Sequence, residues 1–594
     1  MIQIQTFKGA CIAGLFLILC SCTKGPGADT EPYFTKVKDA FTIQLDSCIH
    51  SLNQISGSRD HDKIKHFYLK SRMYFKRLEP VLSFVDVENY KTLNQPNILQ
   101  VEEEDKTNIR IREPQGFQVL EEFIFTENPN FQEIQSKVSF TKNRLSLIKA
   151  NIDLSHYQPY HFLWLLRNSI INVAFSGITG FDSPVLLNSI KDAKIVYSSL
   201  KDYVKIFESK FEDPGLADEW KKEFLRTTQT LTGNFEEFDR YAFIKERTHS
   251  QIDLWNKTVK DWKVEFPFSL SINNHTSSLF SDSTFNLNYL TGKNSASINH
   301  ESIRLGEKLF NDSSLSGNGK MSCSTCHQKE LAFTDGLRKS RGNKGQELLR
   351  NSPTLLYAGL QTGFFYDKRA GNLEGQVLGV ALDKNEFHTD MVSLISQLKD
   401  KPEYINEFSS VYTDTITDAN VRNAIAIYIR SLAPFNSKFD KNISGLENTM
   451  NQNEIDGFNL FMGKAACATC HFPPVFNGTV PPRYLESELE SLGVPKTAEN
   501  KEIDTDPGRY SLFKTEERKF FFKTPTIRNI ELTAPYMHNG VYDSLEQVID
   551  FYNKGGGIGL GFDVPHQTLP FDSLSLSVDE QQAIIAFMRS LTDN

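Results

Sequence analysis

Apolar residues recur at helical spacing through the first half of the chain. Phe41, Leu45, Cys48, Ile49 and Leu52 mark one stripe, and Ile64, Phe67, Tyr68, Phe75 and Leu78 mark the next. Positions three and four apart share a helix face, so each set predicts a helix with one buried side. Further helices are expected over 131–152, 158–176, 183–210 and 216–245. Strand-like alternation is scarce, and short polar connections join the periodic segments, as in an antiparallel bundle spanning 30–266. Cys48 falls on the first stripe and reads as a small buried residue.

Periodicity fades over 267–300, where Ser, Asn and Thr dominate. This stretch reads as a domain boundary and linker. Downstream, helical pieces alternate with loops rich in Gly, Pro and Asn, and a second break falls near 436–452. The expected fold class is all-α: a helical bundle at 30–266, then two helical units at 301–440 and 450–594. A length of 594 residues agrees with three or four domains. The net charge of −9 argues against nucleic acid as a partner, because phosphate binding needs a basic footprint.

Residues 1–22, MIQIQTFKGACIAGLFLILCSC, place Lys8 before an apolar run from Ala10 to Leu19. That run is too short to span a bilayer and fits the core of an export signal. Leu19-Cys20-Ser21-Cys22 resembles a bacterial lipobox. The resemblance implies loss of the preceding residues, lipidation of Cys22, and a body held on the periplasmic face of a bacterial membrane by its lipid anchor only. An ordinary secretory signal or a short membrane anchor is the plainer alternative.

Export through Cys22 leaves Cys48 and two close pairs. The pairs sit in Cys323-Ser324-Thr325-Cys326-His327 and Cys467-Ala468-Thr469-Cys470-His471, an internal duplication of one motif. A lone CxxC leaves a zinc site or a redox disulfide open. Two CxxCH motifs in an exported chain point to two covalently bound haem c groups. The thiols add to the vinyl groups, and His327 and His471 ligate iron.

Residues 302–594 resemble the bacterial di-haem cytochrome c peroxidase family, which includes the MauG-type enzymes. The resemblance rests on LGEKLFNDSSLS (305–316), RNSPTL (350–355), FYDKRAGNLEGQ (365–376), TPTIRNIELTAPYMHNG (524–540) and both CxxCH motifs. It implies two cytochrome c-like domains. The haem of 301–440 is then peroxidatic, and the haem of 450–594 transfers electrons. Hydrogen peroxide becomes the substrate, and a small cytochrome c or a cupredoxin becomes the electron donor. Gln376 and Glu386 keep the family's spacing for a polar neighbour and an acid/base over the first haem. Asn343 falls where many members carry a distal His, which implies a five-coordinate or water-bound first iron. Tyr552, fourteen residues after His538, stands where Met or, in MauG-type members, Tyr ligates the second iron.

The resemblance also implies a calcium ion held by Asn351, Thr533 and Pro535. Tyr366 replaces the Trp that lies between the haems in many members, so charge sharing through it is expected to be proton-coupled. A MauG-like oxidase maturing a protein substrate is one alternative reading. A non-enzymatic di-haem electron-transfer protein is another. Around Gly116-Phe117-Gln118-Val119-Leu120-Glu121 the first half faintly resembles imelysin-like bundles, with Gln118 in place of a His. That change weakens a metal site there, and the bundle reads as a docking or structural unit.

Overall fold

The computed structural model describes residues 33–291, 295–413 and 416–594, so the export segment and Cys22 lie outside the described residues. Helices Tyr33–Ile55 and His61–Val85 pack along their predicted stripes. Phe41, Leu45, Cys48, Leu52, Ile64, Tyr68, Phe75 and Leu78 are fully buried. Asp60 caps the second helix by accepting from Lys63 N at 3.0 Å, a contact that ties down one of the four orphan amides of a helix start. Cys48 donates to Ser71 O at 3.3 Å, and burial pushes its thiol pKa up. Among the described residues no helix is long and apolar enough to cross a membrane.

Helices Phe131–Asn151 and Pro159–Asn172 follow the expected segments. The next one begins late, at Ser189 rather than 183. The buried Glu121 carboxylate explains the delay. Its Oε1 accepts from Val185 N at 3.0 Å and Leu186 N at 2.9 Å, and Ser183 Oγ also donates to it. Those amides serve the carboxylate instead of a helix. The segment expected at 216–245 is a helix only over Pro214–Thr230, because Gly233 turns the chain at φ 90° before it re-enters at Arg240. Gln118 donates to Asn94 O at 2.6 Å, so the weakly imelysin-like motif is engaged in structural bonds on both polar residues.

The all-α expectation needs one correction. β1 (Gln100–Asp105) and β2 (Asn108–Arg112) form an antiparallel hairpin inside the first half. Asp105 drives its turn by accepting from Thr107 N and Asn108 N at 2.6 and 2.9 Å. A second antiparallel pair, β3 (Leu489–Ser491) and β4 (Phe521–Lys523), lies in the C-terminal unit.

The segment expected as a linker is packed over much of its described length. Arg167 donates to Asn273 O at 2.9 Å, and Trp164 Nε1 to Asn274 Oδ1 at 2.9 Å. Phe280 is buried, with its ring 5.5 Å from both Phe175 and Phe439. It therefore joins the bundle to the C-terminal unit. The break expected near 436–452 contains a buried helix, Lys438–Ile443, whose Asp440 takes both arms of Arg528 at 2.8 and 2.7 Å.

The apolar core has two bodies. One runs continuously from Tyr33 to Leu591 and takes in the bundle and the C-terminal unit. The other, from Leu305 to Ile429, belongs to the first CxxCH unit alone.

Candidate haem sites

The two CxxCH motifs fold alike. Cys323–Cys326 forms a helical turn capped by Ser322, and Cys467–Thr469 forms a tighter turn. Each chain then doubles back across a single β-bridge, Gln328 to Thr334 and Phe472 to Asn477. Phe333 and Phe476 hold left-handed backbones at φ 58° and 53°, which turns their carbonyls onto the histidines. Phe333 O lies 2.9 Å from His327 Nδ1, and Phe476 O lies 3.2 Å from His471 Nδ1. A carbonyl only accepts, so Nδ1 carries the proton in each ring. Each Nε2 keeps its lone pair for a metal. Burial lowers both imidazole pKa values, His471 to about 4.

A cavity of about 1690 Å³ is lined by Cys326, His327, Gln376, Glu386, Cys467, Cys470, His471 and Tyr552. A smaller void of about 70 Å³ touches Cys323, Cys326, His327, Gln376 and Glu386, with Val377, Ile425 and Ile429 as apolar wall. None of the four motif cysteines is paired in a disulfide. Paired thiols, an imidazole with its outer nitrogen fixed, and an apolar void at each motif fit two covalently held haems.

Gln376 sits on helix Leu373–Leu382. That helix is pinned to helix Asp418–Arg430 by Glu374, which takes both arms of Arg430 at 2.7 and 2.9 Å. Glu386 follows on a turn closed by its own amide to Asp383 O at 3.2 Å. Burial and neighbouring Asp383 push its carboxyl up to about 7, against a smaller pull from Arg369. Asn343 does not line the cavity. Its backbone amide donates to Asn385 O at 2.8 Å and its side chain to Lys384 O at 3.0 Å. It therefore holds the backbone of the Glu386 turn.

Tyr552, on helix Leu545–Asn553, lines the cavity on the Cys467–His471 side. Burial and the nearby Cys470, Cys467 and Glu490 push its phenol pKa up. A phenolate there needs a cation beside it. Tyr366 lines the same cavity as His327 and His471. Its hydroxyl donates to Asn351 Oδ1 at 2.5 Å, and adjacent Ser352 Oγ lies 3.1 Å from His327 Nδ1. On the other side, Tyr366 O accepts from Lys523 N at 2.6 Å, two residues before Pro525, whose backbone neighbours His471. Asn351 Nδ2 donates to Pro535 O at 3.0 Å and Met537 O at 2.9 Å, while Thr533 Oγ1 turns back to Ile530 O at 3.3 Å. Two of the three residues expected around calcium are thus together, with the amide nitrogen facing the carbonyls.

The family description "Di-haem cytochrome c peroxidase" matches residues 300–448. The cytochrome-c peroxidase IdrP2 of Denitromonas iodatirespirans is 32% identical over 316 residues, covering 50% of this chain and 82% of that protein. The chain belongs to the di-haem cytochrome c peroxidase family. This peroxidase is also 33% identical over 295 residues to the cytochrome c551 peroxidase of Nitrosomonas europaea, across 50% of this chain and 80% of the relative. The MauG protein of Methylorubrum extorquens is 32% identical over 295 residues, across 49% and 78%. A solved MauG-like protein associated with microbial copper homeostasis shows 28% identity and a TM-score of 0.44, covering 50% of this chain and 91% of its own. Family members carry two c-type haems, in keeping with the two motifs here, and the di-haem peroxidase is an oxidoreductase.

Three features of the peroxidase sites were not legible in the sequence. Ser352 bonds His327 from 25 residues away. Glu490, on β3, faces Cys470 and Thr568, and burial with neighbouring Glu488 raises its carboxyl to about 7. Lys523, on β4, is pushed down to about 7 by burial and by neighbouring Lys368. The two short strands that carry Glu490 and Lys523 interrupt loops, and three residues are too few for an alternating pattern to register.

Proposed function

We propose that this chain reduces hydrogen peroxide to water at the site of His327, with electrons arriving through the site of His471. The observation that carries the reading is Glu386: a carboxyl raised to about 7, on the cavity wall beside Gln376 and within the same small void as His327. Haem iron, when bound, supplies the electrons that break the O–O bond. Two electrons and two protons convert one peroxide into two waters. Glu386 accepts the proton from the nearer peroxide oxygen and returns it to the farther one, the task of an acid/base whose pKa sits near the working pH. Gln376 orients the peroxide by hydrogen bonding, and the hydrophobic wall excludes bulk water. Asn343 offers no imidazole, so the first site stays open without a reductive rearrangement.

At the second site His471 and Tyr552 are the proposed ligands, and Tyr366 with the Asn351–Ser352 and Lys523–Pro525 contacts forms the proposed relay. A small cytochrome c or a cupredoxin is the proposed donor. Residues 301–440 then form the peroxidatic domain and 450–594 the electron-transfer domain, with 30–266 as a structural or docking bundle. Calcium is assigned to Asn351, Pro535 and Thr533 on condition that the Asn351 amide turns its oxygen toward the carbonyls, since hard oxygen donors are required. Cys22 is the proposed lipid attachment at the periplasmic face.

Tyr552 also favours a second reading. A phenol in place of a thioether suits a MauG-like enzyme that spends its oxidising power on a protein substrate. Turnover of peroxide with a reduced cytochrome or cupredoxin separates the two. In that assay Glu386→Gln lowers kcat by roughly 10²–10⁴-fold with haem content unchanged, the usual worth of positioned acid–base catalysis. Equal turnover removes Glu386 from the mechanism.

A further inference from the structure

The first half reaches the turn between the haem sites through one buried carboxylate. Glu103, on β1, has a side chain only 4% exposed, and its Oε2 accepts from Arg509 Nε at 2.8 Å. The same guanidinium sends Nη1 to Asp367 O at 3.0 Å and to Lys368 O at 2.8 Å. These carbonyls follow Tyr366 directly, and Lys368 holds a left-handed backbone at φ 53°. A non-glycine residue in that region stays there only when its surroundings hold it. A second strut stands alongside, with Arg518 Nη2 donating to Val101 O of the same strand at 3.0 Å.

We propose that Glu103 is a positioning residue for the inter-haem turn. Its carboxylate fixes the Arg509 fork, the fork fixes the Asp367 and Lys368 carbonyls, and the turn fixes Tyr366. Charge-assisted bonds in a forked geometry restrict orientation more tightly than neutral ones, which suits a clamp. The bundle side is thus a built-in partner of the peroxidase half. The consequence for electron flow rests on the relay through Tyr366 proposed above.

The test uses the haem-loaded full chain as wild type, Glu103→Ala, Glu103→Gln and Tyr366→Phe. One readout is hydrogen exchange of the 364–371 backbone, and the other is the inter-haem electron-transfer rate after one-electron reduction. Losing a charge-assisted bond worth ~1.5 kcal/mol raises local exchange in Glu103→Ala about tenfold. Inter-haem transfer slows with it. Glu103→Gln keeps a neutral acceptor for Arg509 Nε and is expected to fall between wild type and Glu103→Ala in both readouts. Tyr366→Phe slows transfer while leaving exchange unchanged. Wild-type exchange in Glu103→Ala overturns the proposal, whatever Tyr366→Phe does. Raised exchange with unaltered transfer in Tyr366→Phe upholds the clamp and sinks the relay instead.

Discussion

Both haem pockets hold a buried carboxyl pushed up to about 7, yet the two have different surroundings. Glu386 shares a small void with His327 and Gln376, on a turn of the domain that keeps its own core. Glu490 faces Cys470 and Thr568, in the unit whose core is continuous with the first half, and on the same side of the cavity as Tyr552. The contrast teaches that a shifted pKa does not by itself assign a role, since Glu490 also lines the large cavity and has hydrogen-bonding neighbours. In the second pocket the Tyr552 phenol lines the cavity beside Cys467 and Cys470. The two motif units also differ in support: one stands on a separate core, and the other shares its core with the first half.

Exchanging each carboxyl for an amide breaks the comparison most sharply. If the pockets differ as described, Glu386→Gln slows peroxide reduction by roughly 10²–10⁴-fold, whereas Glu490→Gln leaves the step within about threefold. Parallel losses in stopped-flow traces erase the distinction. The next largest effect is on stability. Asp440→Ala strands the buried Arg528 guanidinium and costs about 3–5 kcal/mol. Because Phe280 and Phe439 tie that unit to the bundle, the loss also appears in the fluorescence of Trp164, Trp220, Trp255 and Trp262, all of which lie in the first half. Leu309→Ala costs about 2–5 kcal/mol in the smaller core, and tryptophan-detected unfolding stays in place while the absorbance of the first haem shifts. A tryptophan transition that moves equally for both variants contradicts the two-core description.

Much of this architecture was legible along the chain. The stripes at Phe41–Leu52 and Ile64–Leu78 are buried as periodicity requires except at Ile49 and Phe67, which are half-buried, and the duplicated CxxCH motifs fold alike. Gln376 and Glu386 meet at one void, but only the family resemblance singled them out. Glu386 in isolation reads as an exposed loop acid. What stayed hidden is held by partners distant in sequence. The turn at 183–188 exists to serve Glu121, the strap at 267–290 is ordered by Arg167 and Trp164, and Glu103 meets Arg509 across 406 residues. Such contacts leave no local period to read. The hairpin at 100–112 was missed because its sides carry many charges, which mask the alternation that marks a half-buried strand.

The central claim, that Glu386 handles the peroxide proton, is tested most directly by rapid mixing of the haem-loaded protein with hydrogen peroxide across pH 5 to 9, read at the Soret band. Burial raises the Glu386 carboxyl to about 7, so the accepting carboxylate forms only as pH rises through that value. The folded carboxyl also keeps its proton to higher pH than the unfolded one, so its contribution to stability is complete below the ordinary carboxylate range and is lost as pH rises through about 7. The wild-type rate constant should climb with a midpoint near 7, and the climb should vanish in Glu386→Gln. An identical pH midpoint in that variant would contradict the account.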